Sequence, residues 1–267
     1  MDSTRPIRAL ARGLEALAVL NLRNGATVSE VAQEIRLPRT TVYRILETLC
    51  EAGFAFRDEA DDRYRLCESV RGLSDGFQDE PWVRETAVPL IQELSRDTAW
   101  PVALSTLVGN SMMIRVCTDH LSPLATERFS PGLRYPLLTS ASGRVYLAYC
   151  GESERASLLD AVAKSNAPEA KLARNTAELT RIFSEVRQQG YATAASSRRS
   201  SDDLSIAVPV NGEEDSVIAG LSIRVAAMVM PVKSAVERFL PSLRECARQI
   251  AARRAERRSA AAEGVGA

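Results

Sequence analysis

The chain has 267 residues, with 34 Lys+Arg against 34 Asp+Glu and one histidine, His120. Zero formal charge excludes a polycation that clings to any nucleic acid, and a single histidine excludes a multi-histidine metal centre. Hydrophobic residues at 45% and charged residues at 25% suffice for a real core and exclude wholesale disorder.

The pattern begins with Ile7, Leu10, Leu14 and Leu17 at helical spacing. Asn24-Gly25 ends that helix, since both residues tolerate the left-handed backbone. Thr27-Val28-Ser29-Glu30 reads as a capping box opening a short helix through Ile35. Pro38 suits the first position of a third helix, which runs to about Ala52 with Gly53 as its stop. Phe54–Arg57 and Arg63–Leu66 alternate as strands about the acidic turn 58–62. This order is that of a winged helix-turn-helix, expected over residues 1–66.

The third helix carries the chemistry. Val42, Ile45, Leu46 and Leu49 form one buried stripe. Arg39, Thr40, Tyr43, Arg44 and Glu47 fall on the other side. Guanidiniums, a short hydroxyl and a phenol near a helix N-terminus suit a major groove, with Thr41 in reach of phosphate. Arg57, Arg63 and Arg65 on the wing are the candidates for phosphate or minor-groove contact.

Residues 67–80 form the expected linker helix, with two glycines and a flexible end. Pro81 then opens a helix with Val83, Ala87, Leu90, Ile91 and Leu94 as its core side. Val102–Val108 and Ser111–Cys117 read as a hairpin about Gly109-Asn110. An extended piece at Leu133–Leu138 precedes helices at about 140–150, 152–164 and 176–189. Strands follow at about 191–195, 204–210 and 216–226, the last two joined by Gly212-Glu213-Glu214-Asp215. The run Ser196–Asp203 is polar enough to read as a solvated loop. Pro231 opens a terminal helix whose arginines are interleaved with glutamates, as on a solvated face. The second domain is expected over 81–258, with a disordered tail at 259–267. The fold class is α+β: a winged helix-turn-helix, a linker helix, and an antiparallel-rich sheet domain able to hold a ligand.

Catalysis finds no support. No G-x-S-x-G elbow and no phosphate-binding G-x-x-x-x-G-K-[ST] loop occurs. Cys50, Cys67, Cys117, Cys150 and Cys246 are scattered, without C-x-x-C spacing, as free thiols in a reducing compartment would be. No cofactor or metal is expected. No apolar run is long enough to cross a membrane, and the N-terminus lacks a signal-peptide core, so the expected compartment is the cytoplasm.

Three segments, in order, carry a family resemblance. They are Arg12–Leu17 through Leu37–Leu46, then Thr139-Ser140-Ala141-Ser142-Gly143-Arg144-Val145-Tyr146-Leu147-Ala148, then Ser205–Val210 with Ile218–Ile223. The chain resembles the IclR family of bacterial transcriptional regulators. Asp119–Leu124 and Gly143–Cys150 are similar to the MhpR-type regulators of aromatic-acid catabolism within it. The resemblance implies a GAF-like effector-binding domain, dimers that pair into tetramers, and operator DNA as partner. RNA polymerase joins the partners if the protein activates. It also implies an effector pocket between the sheet and the small-residue helix, formed by Ala141, Ser142, Leu204, Ser205, Ser222 and Arg224. Arg224 shares a strand face with Ser222 and is expected to clamp the carboxylate of a small organic acid. The competing reading is a metabolite-binding protein or enzyme whose helix-turn-helix serves protein contacts.

Overall fold

Asn24 closes helix α1 (Arg8–Arg23) with φ 50°, and its N–H returns to the Leu20 carbonyl. The capping box opens α2 (Val28–Ile35): the Thr27 hydroxyl accepts from the Glu30 N–H, and the Glu30 carboxylate accepts from the Thr27 N–H at 2.8 Å. Pro38 is the residue before α3 (Arg39–Glu51), one position earlier than its sequence role. The wing is the antiparallel pair β1 (Ala55–Asp58) and β2 (Arg63–Leu66). Ala26 pairs with Tyr64 on the free edge of β2, in two N–H to carbonyl bonds of 3.0 and 2.9 Å. Ala16, Leu20, Val31, Val42, Leu46 and Tyr64 form the core. Among the described residues of the expected linker there is a single helical turn, α4 (Ser69–Gly72), and residues 74–78 of that linker lie outside the described residues.

The computed structural model describes residues 7–73, 79–126, 129–198, 201–212 and 216–264. It comprises two units, residues 1–78 and 79–267.

In the second unit, a π-helical turn (Val83–Ala87) leads into α5 (Val88–Thr98). Pro89 explains the turn, because it has no N–H and its ring would crowd an α-helical carbonyl four residues back. The wider turn takes the Val88 N–H to the Val83 carbonyl instead. The hairpin β3 (Val102–Val108) and β4 (Ser111–Cys117) has the sequence-expected bounds. Then follow β5 (Arg134–Pro136), α6 (Ala141–Tyr149), α7 (Glu152–Lys164), α8 (Ala170–Ala173) and α9 (Thr176–Gln189). Strands β6 (Ala192–Arg198), β7 (Ser201–Asn211) and β8 (Val217–Ala226) precede α10 (Val232–Gly264). The described strands of this unit form one antiparallel sheet in the order β5-β4-β3-β8-β7-β6.

The sheet has two dressed faces. Val102, Leu104, Leu204, Ile206, Leu221 and Ile223 pack on α5 and α10. Alternation sends Ala194, Ala207 and their neighbours to the α6 side, where Val145, Leu147 and Phe183 complete a second core. Two close approaches set α6. A Cβ on Gly143 would lie 2.0 Å from the Leu137 carbonyl oxygen, and one on Gly220 of β8 would lie 2.8 Å from the Ser142 Cβ. Only glycines let the helix sit this near the sheet and the preceding loop.

Two sequence expectations change. The polar run from Ser196 pairs Ser196 with Asp203, Ser197 with Asp202 and Arg198 with Ser201, so it extends a hairpin where a loop was expected. Strand pairing satisfies its backbone without any apolar side chain. Helix α10 continues to Gly264, through residues expected to be a tail, in a stretch rich in the strong helix formers alanine, arginine and glutamate. Residues 265–267 and the turn 213–215 lie outside the described residues.

Glu30 also accepts from Arg63 at 2.9 Å, tying wing to α2. Its pKa lies below the ordinary 4.5, first through the Thr27 N–H and then through Arg63. A carboxylate depressed in the native state stabilises above its unfolded pKa and loses that contribution as pH falls through the native value. Glu30→Gln is therefore expected to lower the melting temperature of the N-terminal unit at neutral pH. The gap to wild type should close in acid. A gap independent of pH, followed by circular dichroism, would refute the tie.

Candidate functional site

Helix α3 turns Val42 and Leu46 into the core, which leaves Arg39, Thr40, Tyr43 and Arg44 exposed and Thr41 half-buried. Arg39 and Arg44 enter no ion pair within the described residues. Glu47, the acid of that face, accepts from the buried Tyr64 hydroxyl at 2.6 Å. The bond turns a phosphate-repelling carboxylate toward the wing, and burial together with Glu47 raises the Tyr64 pKa.

The wing arginines are employed differently. Arg57 pairs with Asp62; Arg65 holds Asp58 at 2.5 Å and Asp61 at 2.6 Å; Arg63 is bound to Glu30. The acidic turn thus neutralises the wing in the free protein. Of the three, Arg57 has the most exposed side chain.

In the second unit a cavity of about 330 Å³ opens between the sheet and the N-terminus of α6. Ala141, Ser142, Ser205, Ser222 and Arg224 line it, with Phe129, Leu133 and Tyr135. Leu204 does not: it points into the core beneath α5 and α10. Strand alternation requires this, because Leu204 and Ser205 cannot share a face, and the assignment of Leu204 to the pocket is corrected accordingly.

The amides of Ala141 and Ser142, first in α6, have no acceptor among the described residues; those of Gly143 and Arg144 are held by Ser140. Two aimed N–H groups at a helix N-terminus suit an anion. The opposite wall comes from the loop before α6, fixed by Glu169. Its buried carboxylate accepts from the Leu137 and Leu138 amides at 3.1 and 2.8 Å. The Tyr135 hydroxyl donates to Ser105, and burial raises its pKa.

Arg224 is 7% exposed and lies between Asp119 and Asp203, each 2% exposed. Its Nη2 donates to Asp119 Oδ1, its Nε stands 3.3 Å from Asp203 Oδ2, and Phe129 stacks 3.8 Å below it. The Phe129 N–H also donates to Asp119, and Thr126 donates to both oxygens of Asp203. Thus the guanidinium expected to clamp a carboxylate ligand faces the cavity, but two carboxylates of the chain itself occupy it. It fastens the loop after β4 over the sheet. Burial, then the nearby Asp119 carboxylate, push the Cys117 thiol up to about 12, so that it stays neutral.

Sequence reasoning missed Asp119, Phe129, Tyr135, Asp203 and Glu169. Asp203 was within reach, since it shares strand parity with Ser205. Asp119 and Glu169 act from loops, where no periodicity marks a face. His120 follows Asp119 as an exposed turn residue. No group of three or more His, Cys, Asp or Glu side chains among the described residues could hold a metal. No helix there is long and apolar enough to cross a membrane.

The IclR helix-turn-helix domain matches residues 9–59, and the bacterial transcriptional regulator IclR C-terminal domain matches residues 79–252. The chain is 28% identical over 219 residues to the HTH-type transcriptional regulator XynR of Escherichia coli (strain K12), covering 81% of this chain and 85% of that protein. It is 28% identical over 228 residues to KdgR of the same organism, covering 84% of each. In fold it is similar to an IclR homolog complexed with 4-hydroxybenzoate from Microbacterium hydrocarbonoxydans. That match has TM-score 0.60 and 24% identity, over 91% of this chain and 98% of that one. The matched domains span both units, and the chain belongs to the IclR family of bacterial transcriptional regulators.

Proposed function

We propose that the chain regulates a catabolic operon by reading operator DNA with α3 and a small aromatic acid with the cavity under α6. The observation that supports the reading most is the exposed Arg39, Thr40, Tyr43 and Arg44 surface, from which Glu47 has been drawn away. In a dimer, two such helices would meet major-groove segments about 34–36 Å apart, or a multiple of that. Thr41 would touch phosphate. On the wing, Arg57 is best placed to reach DNA, while Arg63 and Arg65 would join only by exchanging their carboxylates for phosphates.

The acid would place its carboxylate on the Ala141 and Ser142 amides, near the Ser142, Ser205 and Ser222 hydroxyls, and its ring against Phe129 and Tyr135. The neighbour complexed with 4-hydroxybenzoate supports the ligand size, since its fold accommodates an aromatic acid. Coupling of about 1–3 kcal/mol between ligand and DNA is typical, and it is reciprocal.

Fluorescence anisotropy on the upstream DNA tests the DNA half. Arg44→Ala and Arg39→Ala should each weaken specific binding by about 1–3 kcal/mol, with relaxed sequence preference at one position. Unchanged affinity in both variants would refute α3 as the reader. The competing reading, a helix-turn-helix for protein contacts, predicts no salt-sensitive, sequence-preferring binding at all.

A further inference from the structure

The wing carries more acid than its shape needs. Residues 57–65 hold three arginines, Arg57, Arg63 and Arg65, against four acids, Asp58, Glu59, Asp61 and Asp62. Arg57 donates to Asp62. Arg65 bridges Asp58 and Asp61, meeting Asp61 in two bonds of 2.9 and 2.6 Å. Arg63 stands 3.9 Å from Asp61 while it bonds Glu30. The turn itself does not demand these charges. Asp58 and Asp61 each accept a backbone N–H two residues on, from Ala60 and Arg63, and an asparagine oxygen serves that bond equally. Asp62 has φ 57°, a left-handed conformation that asparagine also adopts. What only aspartate supplies is the negative charge, and in each of the three cases it meets an arginine.

We propose that Asp58, Asp61 and Asp62 are specificity-determining residues: they stand in for phosphates in the free protein and so keep the wing arginines from binding DNA of arbitrary sequence. The inference rests on the DNA-binding reading above and adds the suppression of non-specific binding. The pairs are partly exposed, so breaking one costs little. The obstacle is what remains. An aspartate that yields its arginine to a phosphate stays in the same turn, beside that phosphate, and repels it. A wing arginine therefore brings little net attraction, and the affinity that counterion release gives to any duplex is missing. Only where the exposed side chains of α3 find their bases does the complex gain enough to hold the wing against the backbone. Phosphate contacts, which by themselves carry no sequence information, thus come to depend on base contacts.

The test titrates the full-length protein with a random-sequence duplex and with the upstream DNA over a range of KCl concentrations. Asp62→Asn frees Arg57; Asp58→Asn together with Asp61→Asn frees Arg65. On the random duplex each should steepen the slope of log K against log [KCl] by about 0.9, the share of one phosphate, and raise affinity by up to about tenfold at low salt. On the upstream DNA the slope should stay near wild type, because the exchange already takes place there, and the preference for upstream over random DNA should fall. Two controls separate pairing from net charge. Glu59 is exposed in the same turn and pairs with no arginine among the described residues, so Glu59→Gln should leave the slope unchanged. In an Arg57→Gln background, Asp62→Asn should leave it unchanged too. If Glu59→Gln acts as strongly as Asp62→Asn, or the gain survives the loss of Arg57, net charge alone is at work and the inference falls. Unaltered random-duplex binding in both sets of aspartate variants overturns it as well, while binding of the upstream DNA leaves the DNA reading standing. If neither duplex is bound by any form even at low salt, the DNA reading falls and takes this inference with it. The two sets act on different arginines, so the Arg65 set decides the matter where Asp62→Asn folds poorly.

Discussion

Arg224→Met is expected to destabilise the effector unit by about 3–5 kcal/mol, the usual consequence of removing one partner from a buried ion pair. Three contributions run in the same direction. Asp119 and Asp203 lose the guanidinium between them, in a place almost closed to water. Phe129 loses the cation stacked on its ring. The loop after β4 loses its fastening to β8. Both tryptophans, Trp82 and Trp100, lie in this unit, so intrinsic fluorescence during urea unfolding follows it without interference from the DNA-binding unit. A companion variant identifies the cause. If orphaned charge dominates, adding Asp119→Asn and Asp203→Asn to Arg224→Met should recover most of the loss, since a buried ionic cluster replaced as a whole is often close to neutral. An Arg224→Met protein within about 0.5 kcal/mol of wild type, the range of ordinary surface substitutions, would show that the cluster carries no such weight.

The same cluster shows where the sequence was legible and where it was not. Helix α3, the capping box and the β3–β4 hairpin follow from spacing and turn residues alone, because each is decided within a few positions of chain. Strand alternation, a local rule, puts Ser222 and Arg224 on one face; that the face belongs to the pocket is implied by the family resemblance, and both residues line the cavity. What alternation could not supply is the partner. Asp119 stands 105 positions from Arg224 in sequence and follows a strand end, so nothing near either residue announces the pair. The expected clamp and the observed fastening use the same guanidinium on the same face; they differ only in which carboxylate reaches it. The wing carries the same lesson. Arg57, Arg63 and Arg65 were legible as basic residues on strands, but their acids come partly from the turn and partly from the α2 capping box, across a fold contact. Leu204 is the opposite case, since the local rule was available and excludes it.

Two glycine-to-alanine exchanges should act with opposite sign. Gly143→Ala adds a methyl group 2.0 Å from the Leu137 carbonyl oxygen, with the Leu137 carbonyl carbon at 2.7 Å. Both are backbone atoms, and the Leu137 and Leu138 amides are held by the buried Glu169, so the loop cannot yield cheaply. Helix α6 would have to retreat, yet Ser142 is seated against Gly220 on its sheet side. A loss at the upper end of the 1–3 kcal/mol range for overpacked cores, or about 3 kcal/mol, is therefore expected in tryptophan-detected unfolding. Because the retreat moves the Ala141 and Ser142 amides, ligand binding should suffer even in the fraction that folds. Gly13 lies within α1, and a Cβ there meets nothing within 4 Å. Gly13→Ala should then gain about 0.5–1 kcal/mol from helix propensity and a less flexible unfolded chain, read by circular dichroism of the N-terminal unit. If Gly143→Ala proved as stable as wild type, α6 would not be seated on the Leu137 carbonyl, and the close approach that shapes the cavity would be lost with it.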